Sequence, residues 1–105
     1  MDKTLPTSEQ VHAITLIGGE WFDRVNGNSY NRCKIYLNGE LVHVTLFQYG
    51  YGDYYLQAAQ EWLQKNIFTD MCENEPLWRY CRDKRGMEYI THKQTNMLKR
   101  DLMNW

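Results

Sequence analysis

Between Val11 and Phe47 the chain alternates apolar and polar positions; further on, apolar residues recur at helical spacing. Two Asn-Gly dipeptides, Asn26-Gly27 and Asn38-Gly39, interrupt segments rich in β-branched and aromatic residues. Asn-Gly adopts the positive φ angles of a type I′ turn, whose twist matches paired strands. The pattern predicts a three-stranded antiparallel meander over about 12–24, 30–37 and 41–48.

A tight turn at Asn38-Gly39 pairs Leu37 with Glu40, Ile35 with Val42 and Cys33 with Val44. Cys33, Ile35, Val42, Val44 and Leu46 then form the core face, because side chains alternate with period two. The opposite face receives Arg32, Lys34, Tyr36, His43 and Thr45. A two-residue turn at Asn26-Gly27 sets Trp21 opposite Arg32 and Asp23 opposite Tyr30, with Trp21 and Tyr30 on the outer face. The adjacent Gly18 and Gly19 could insert a bulge upstream.

Asp53 is a suitable N-cap for a helix from Tyr54 to about Lys65. Tyr55, Leu56, Ala59, Trp62 and Leu63 form its apolar stripe, and Gln57, Gln60, Glu61, Gln64 and Lys65 its wet face. After a loop over 66–73, Asn74-Glu75-Pro76 opens a second short helix that stops at Gly86. Leu77, Tyr80 and Cys81 point inward; Arg79, Arg82, Asp83 and Lys84 point out. Residues 87–97, with Tyr89, Ile90, Thr91 and Thr95, favour a fourth strand; a helix running on to Trp105 is the alternative. The expected fold is α+β, an antiparallel sheet in the order β-β-β-α-α-β with two helices packed on one face. Residues 1–10 read as a flexible lead-in and 11–105 as a single domain.

Composition narrows the chemistry. The chain has 105 residues and a formal net charge of −1, so no global field draws it to DNA or an anionic membrane. Mean hydropathy is −0.69, and no apolar run approaches the ~20 residues that span a bilayer. The N-terminus lacks the basic-then-apolar shape of a signal peptide. The expectation is a cytoplasmic protein with no membrane partner. Cys33, Cys72 and Cys81 form no disulfide framework, and with His12, His43 and His92 they offer no tight ligand spacing; neither metal nor cofactor is expected. HExxH and GxSxG motifs are absent. Glu20 and Asp23 would face opposite sides of a strand, and inward Cys33 cannot meet outward His43. No catalytic residue is expected, and the chain reads as non-enzymatic.

The surplus lies in the aromatics: eight Tyr, four Trp and three Phe. Phe47-Gln48-Tyr49-Gly50-Tyr51-Gly52-Asp53-Tyr54-Tyr55 concentrates them around two glycines. Tyrosine supplies large contact area at low entropy cost and a polar hydroxyl. The plain alternative is a strand-to-helix connection whose rings pack over the sheet edge. The outer sheet face mixes Trp21, Tyr30 and Tyr36 with Arg32, Lys34 and His43, the residue types that bind single-stranded nucleic acid by stacking and phosphate neutralisation. A run of Arg79, Arg82, Lys84 and Arg85 reads as a second basic strip or a wet helix face. The candidate partner- or ligand-binding residues are therefore Trp21, Tyr30, Arg32, Lys34, Tyr36, Tyr49, Tyr51 and Tyr54. Trp21, Trp78 and Trp105 would also suit a homodimer interface.

Trp21-Phe22-Asp23, Gly27-Asn28-Ser29-Tyr30 and Tyr49-Gly50-Tyr51-Gly52-Asp53-Tyr54-Tyr55-Leu56-Gln57 together resemble a group of small uncharacterised bacteriophage and prophage proteins with a WFD…GNxY…YGYGDxYLQ pattern. Tyr80-Cys81-Arg82 and Lys99-Arg100-Asp101-Leu102 extend the similarity across most of 20–102. The resemblance implies a phage-encoded accessory protein in the host cytoplasm that binds a host protein, such as a defence component. It transfers no catalytic residue. Sequestration of a nucleotide signal and single-stranded nucleic-acid binding are the alternative functions.

Overall fold

The computed structural model of the chain describes residues 5–72 and 74–105. It is the expected α+β fold, with strands β1 (Ala13–Asp23), β2 (Asn28–Leu37), β3 (Glu40–Val44), β4 (Gln48–Tyr49) and β5 (Glu88–Gln94). Helix α1 (Tyr54–Asn66) follows β4. Helix α2 (Leu77–Arg79) continues into a π-helical turn over Tyr80–Lys84, and α3 (Lys99–Met103) lies near the C-terminus. The sheet order is β3-β2-β1-β5, with β4 pairing β2 beyond the end of β3.

Residues 1–4 of the expected lead-in lie outside the described residues. Ser8–Gln10 form a 3-10 turn, where Arg85 donates to the Ser8 hydroxyl at 2.6 Å and Asn38 Nδ2 to the Gln10 carbonyl at 2.9 Å.

β1 and β2 are antiparallel, and each alternates cleanly between faces. Ile14, Leu16, Cys33, Ile35 and Leu37 are buried on the inner face. α1 lays Tyr55, Ala59 and Leu63 over them, and Leu77, Tyr80 and Cys81 close the same cluster. Burial pushes the Cys33 and Cys81 thiols up to about 12, so both stay protonated at neutral pH.

Of the two turns, one keeps the expected register and the other shifts it. Asn38 and Gly39 both have positive φ, as a type I′ turn requires. At the other hairpin, one Asp23 carboxylate oxygen accepts from the Val25 and Asn26 amides, and only Gly27 turns left-handed. The loop therefore takes four residues instead of two. Trp21 pairs with Tyr30, and Asp23 with Asn28. A shift of two preserves the faces, so Trp21 and Tyr30 are outer-face residues.

β3 departs from the expected faces. A bulge opposite Ile35 and Tyr36 pairs Ile35 with His43 and Lys34 with Val44. His43 thereby turns inward, its ring stacked on Trp62 of α1 at 4.5 Å and 8°. Val44 moves to the outer face, and Leu46 is 79% exposed. Thr45 is buried; its hydroxyl accepts from the Cys33 amide at 2.8 Å, and its own amide bonds the Cys33 carbonyl.

The fourth strand exists, but β5 runs parallel to β1, from Ala13↔Glu88 to Gly19↔Gln94. The two helical segments before it carry the chain across the inner face, the long connection that a parallel neighbour needs. α3 then packs on the outer face, against Gly19 and Arg32.

Gly18 and Gly19 introduce no bulge into the β1–β2 register. They open one slot on each face instead. A Cβ on Gly18 would come within 2.8 Å of the Tyr55 ring, and a Cβ on Gly19 within 2.8 Å of Leu102, Trp105 and Met97.

Candidate functional site

The outer face divides into a covered part and an open part. The covered part holds the basic residues. Arg32 donates through Nε to the Thr45 carbonyl at 2.9 Å, and through Nη1 to the Leu102 and Met103 carbonyls at 3.1 Å each. Those last two carbonyls stand at the C-terminal end of α3, where a cation is also favoured by the helix dipole; the Leu102 carbonyl accepts from the Trp105 amide as well. Lys34 places its ammonium 4.5 Å from the Trp105 ring centroid. Leu102 is fully buried in the slot at Gly19. The chain's own C-terminal segment thus occupies both cations.

The open part is aromatic. Trp21 of β1 stacks on Tyr30 of β2 at 5.4 Å, and Tyr30 stacks on Phe47 at 5.2 Å and 5°. Tyr49 meets Tyr30 edge-on at 6.0 Å, and Tyr51 meets Tyr49 edge-on at 5.2 Å. The result is a continuous five-ring cluster at the hairpin end of the sheet. Such pairs contribute about 0.5–1.5 kcal/mol each beyond area burial. Tyr49 and Tyr51 remain 54% and 51% exposed. The Tyr51 hydroxyl donates to the Gly27 carbonyl at 3.1 Å. A hydrogen bond with Tyr49 pushes the Tyr51 phenol above its ordinary value, so it stays a neutral phenol under physiological conditions. Lys99 stands 5.3 Å from the Trp21 ring centroid.

Of the eight expected residues, Trp21, Tyr30, Tyr49 and Tyr51 come together. Arg32 and Lys34 lie beneath the C-terminal segment. Tyr36 sits toward the far end of β2, paired with Leu41 and Thr15. Tyr54 packs its ring over Gly50, where a Cβ would lie 2.6 Å from it. Phe47 joins the cluster as the ring between Tyr30 and the edge. Its signal in the sequence is parity with Tyr49, two residues on, which becomes usable only once the β4 register is known.

The second basic strip is largely engaged. Lys84 pairs with Glu75 at 2.9 Å, Arg82 donates to the Tyr89 carbonyl at 3.1 Å, and Arg85 binds Ser8 and Tyr80. Gln60 and Gln64, expected to be wet, hold the segment after α1. Gln60 donates to the Glu75 carbonyl at 2.7 Å and accepts from the Leu77 amide, and Gln64 donates to the Cys72 carbonyl.

No helix among the described residues is long and apolar enough to cross a membrane, and no group of three or more metal-ligating side chains occurs among them. The chain matches no protein-family model, no curated protein and no solved structure.

Proposed function

We propose that the chain is a non-enzymatic binding module that recognises a protein partner through the cluster Trp21, Tyr30, Phe47, Tyr49 and Tyr51. One observation carries this reading: the outer face spends its cations on the C-terminal segment and leaves its tyrosines open. Stacking of Trp21, Tyr30 and Phe47 on one another covers part of each ring face, and the Lys99 ammonium stands over Trp21. What remains for a partner is ring edges and the accepting lone pairs of phenol hydroxyls, since the Tyr51 hydroxyl already donates to Gly27. These suit the mixed apolar and hydrogen-bonding surface of a protein, where Tyr and Trp are typical anchors. A base-stacking platform needs free ring faces and cations beside them. The resemblance to phage and prophage proteins supports a host protein as the partner, a defence component as its class, and the host cytoplasm as the place of encounter.

The test is affinity capture from host lysate with the natural chain and with a Tyr49→Ser/Tyr51→Ser double variant, both verified as folded. The reading predicts a discrete partner whose retention falls at least about tenfold, or 1.4 kcal/mol, in the double variant. Equal retention would contradict it. So would salt-dependent binding of single-stranded oligonucleotides with no partner captured.

A further inference from the structure

β1 outruns its neighbour. β5 ends its pairing at Gly19↔Gln94, while β1 continues to Asp23. The chain then crosses in front of β1, with the Met97 amide bonding the Glu20 carbonyl at 3.0 Å. Residues along a strand alternate the side to which their N–H and C=O point. Cys33 and Ser29 of β2 bond β3–β4 neighbours, so the alternate residues of β2 and their partners Trp21 and Asp23 bond across the β1–β2 pair. Glu20 and Phe22 therefore point to the other edge. Glu20 is satisfied there by Met97; Phe22 has no described strand opposite it.

A cleft of about 730 Å³ lies at this edge, lined in part by Glu20, Phe22, Asp23, Arg24, Met97 and Leu98. Phe22 and Leu98 are 46% and 55% exposed. The charges of the lining are unequal in their commitments. Glu20 pairs with Lys93 at 3.0 Å. The Asp23 carboxylate already accepts from two backbone amides and from Asn26 Nδ2. Arg24 makes no ion pair among the described residues, and neither does Lys99 beside the cleft. The acids are compensated, Lys99 lies over the Trp21 ring, and Arg24 is left with no ion pair among the described residues.

We propose that this cleft is a docking groove for an extended acidic-apolar segment of the partner protein, which adds to β1 as a short strand. The segment hydrogen-bonds the Phe22 backbone, sets an apolar side chain against Phe22 and Leu98, and directs a carboxylate to Arg24. A backbone N–H and C=O held at strand geometry are matched by another extended backbone, the β-augmentation mode of recognition. The proposal deepens the protein-binding reading and rests on it, since Trp21 of the ring cluster also lines the cleft.

The test uses three short acetylated, amidated peptides: alternating glutamate and valine, alternating lysine and valine, and the glutamate peptide with a central proline. Binding is followed by NMR on the full chain. The proposal predicts that the glutamate peptide shifts the Phe22 amide, and that the other two bind at least about tenfold more weakly. Arg24→Glu, a change in an exposed loop, abolishes that preference, while Tyr49→Ser/Tyr51→Ser preserves it. Absence of a Phe22 shift at millimolar peptide, equal binding of the lysine or proline peptide, or indifference to Arg24→Glu overturns the groove. Tyrosine-dependent partner capture alongside a failed peptide titration sinks the groove alone. Selective peptide binding with tyrosine-independent capture sinks the cluster reading alone.

Discussion

Gly18 and Gly19 are neighbours in the chain and work on opposite sides of the sheet. Gly18 admits the Tyr55 ring on the core face, and Gly19 admits Leu102 on the other. Adding one methyl at either site forces a packed neighbour to move, an overpacking that costs about 1–3 kcal/mol. Gly18→Ala should loosen α1, and Gly19→Ala should loosen the C-terminal segment instead. Urea denaturation gives the cost, and hydrogen exchange over 54–66 and 99–103 shows which element opened. His43 provides a second residue-scale prediction. Burial, then the nearby Arg32 charge, hold its imidazole below the ordinary value of 6.5. The unfolded chain therefore takes the proton first as pH falls. The His43 contribution is fully present above the unfolded value and is lost as pH drops through it toward the folded one. The urea midpoint should fall between about pH 7.5 and about pH 5.5, and His43→Phe, which keeps a ring on Trp62, should flatten that fall. Equal slopes for both proteins would contradict this. The bulge that turns His43 inward leaves no mark in the alternation of Leu41, Val42, His43 and Val44, which reads equally well with Val42 and Val44 inside.

At the scale of elements, α3 is the least self-sufficient. Five residues cannot hold a helix in water by propensity alone. It is fixed by Leu102 in its slot and by Arg32 on its final carbonyls. Arg32→Met keeps the aliphatic stem and removes three charge-assisted hydrogen bonds. At about 1.5–3 kcal/mol for such a bond, the change should lower stability by at least about 1.5 kcal/mol, read in urea, and unprotect 99–103 in hydrogen exchange. An Arg32 that served only a ligand would leave both unchanged. Helix α1, the Asn38-Gly39 turn and the faces of β1 and β2 were legible in the sequence because each follows from a local period or a turn residue. The direction of β5 and the side taken by α3 were not, because both depend on long-range packing. Nothing in Glu88–Gln94 distinguishes a parallel partner from an antiparallel one, and Lys99-Arg100-Asp101 reads as an exposed tail. For the same reason Arg32 and Lys34 looked available: their partners include the Leu102 and Met103 carbonyls and the Trp105 ring, all far along the chain.

For the whole molecule, the near-zero net charge conceals a division of labour. Most cations of the outer face and of the π-helical turn already serve this chain's own carbonyls, carboxylates and rings. The aromatic surplus divides as well, with Tyr55, Phe68, Tyr80 and Tyr89 in the core and five rings at the hairpin end of the sheet. Four of the five rings of the candidate site were legible, since Trp21 and Tyr30 follow from strand parity and Tyr49 and Tyr51 from their crowding around glycines. Their convergence with Phe47 required the β4 pairing. The central claim is that this cluster contacts a protein. Its most direct test replaces Tyr49 with a photo-crosslinking benzoylphenylalanine and irradiates the chain in the lysate used for affinity capture, with a control at exposed Gln57 on α1. A cluster that contacts a protein yields a discrete protein conjugate from position 49 and none from position 57. Irradiation that yields no conjugate at 49, the same conjugate from both positions, or a nucleic-acid adduct in its place would contradict it.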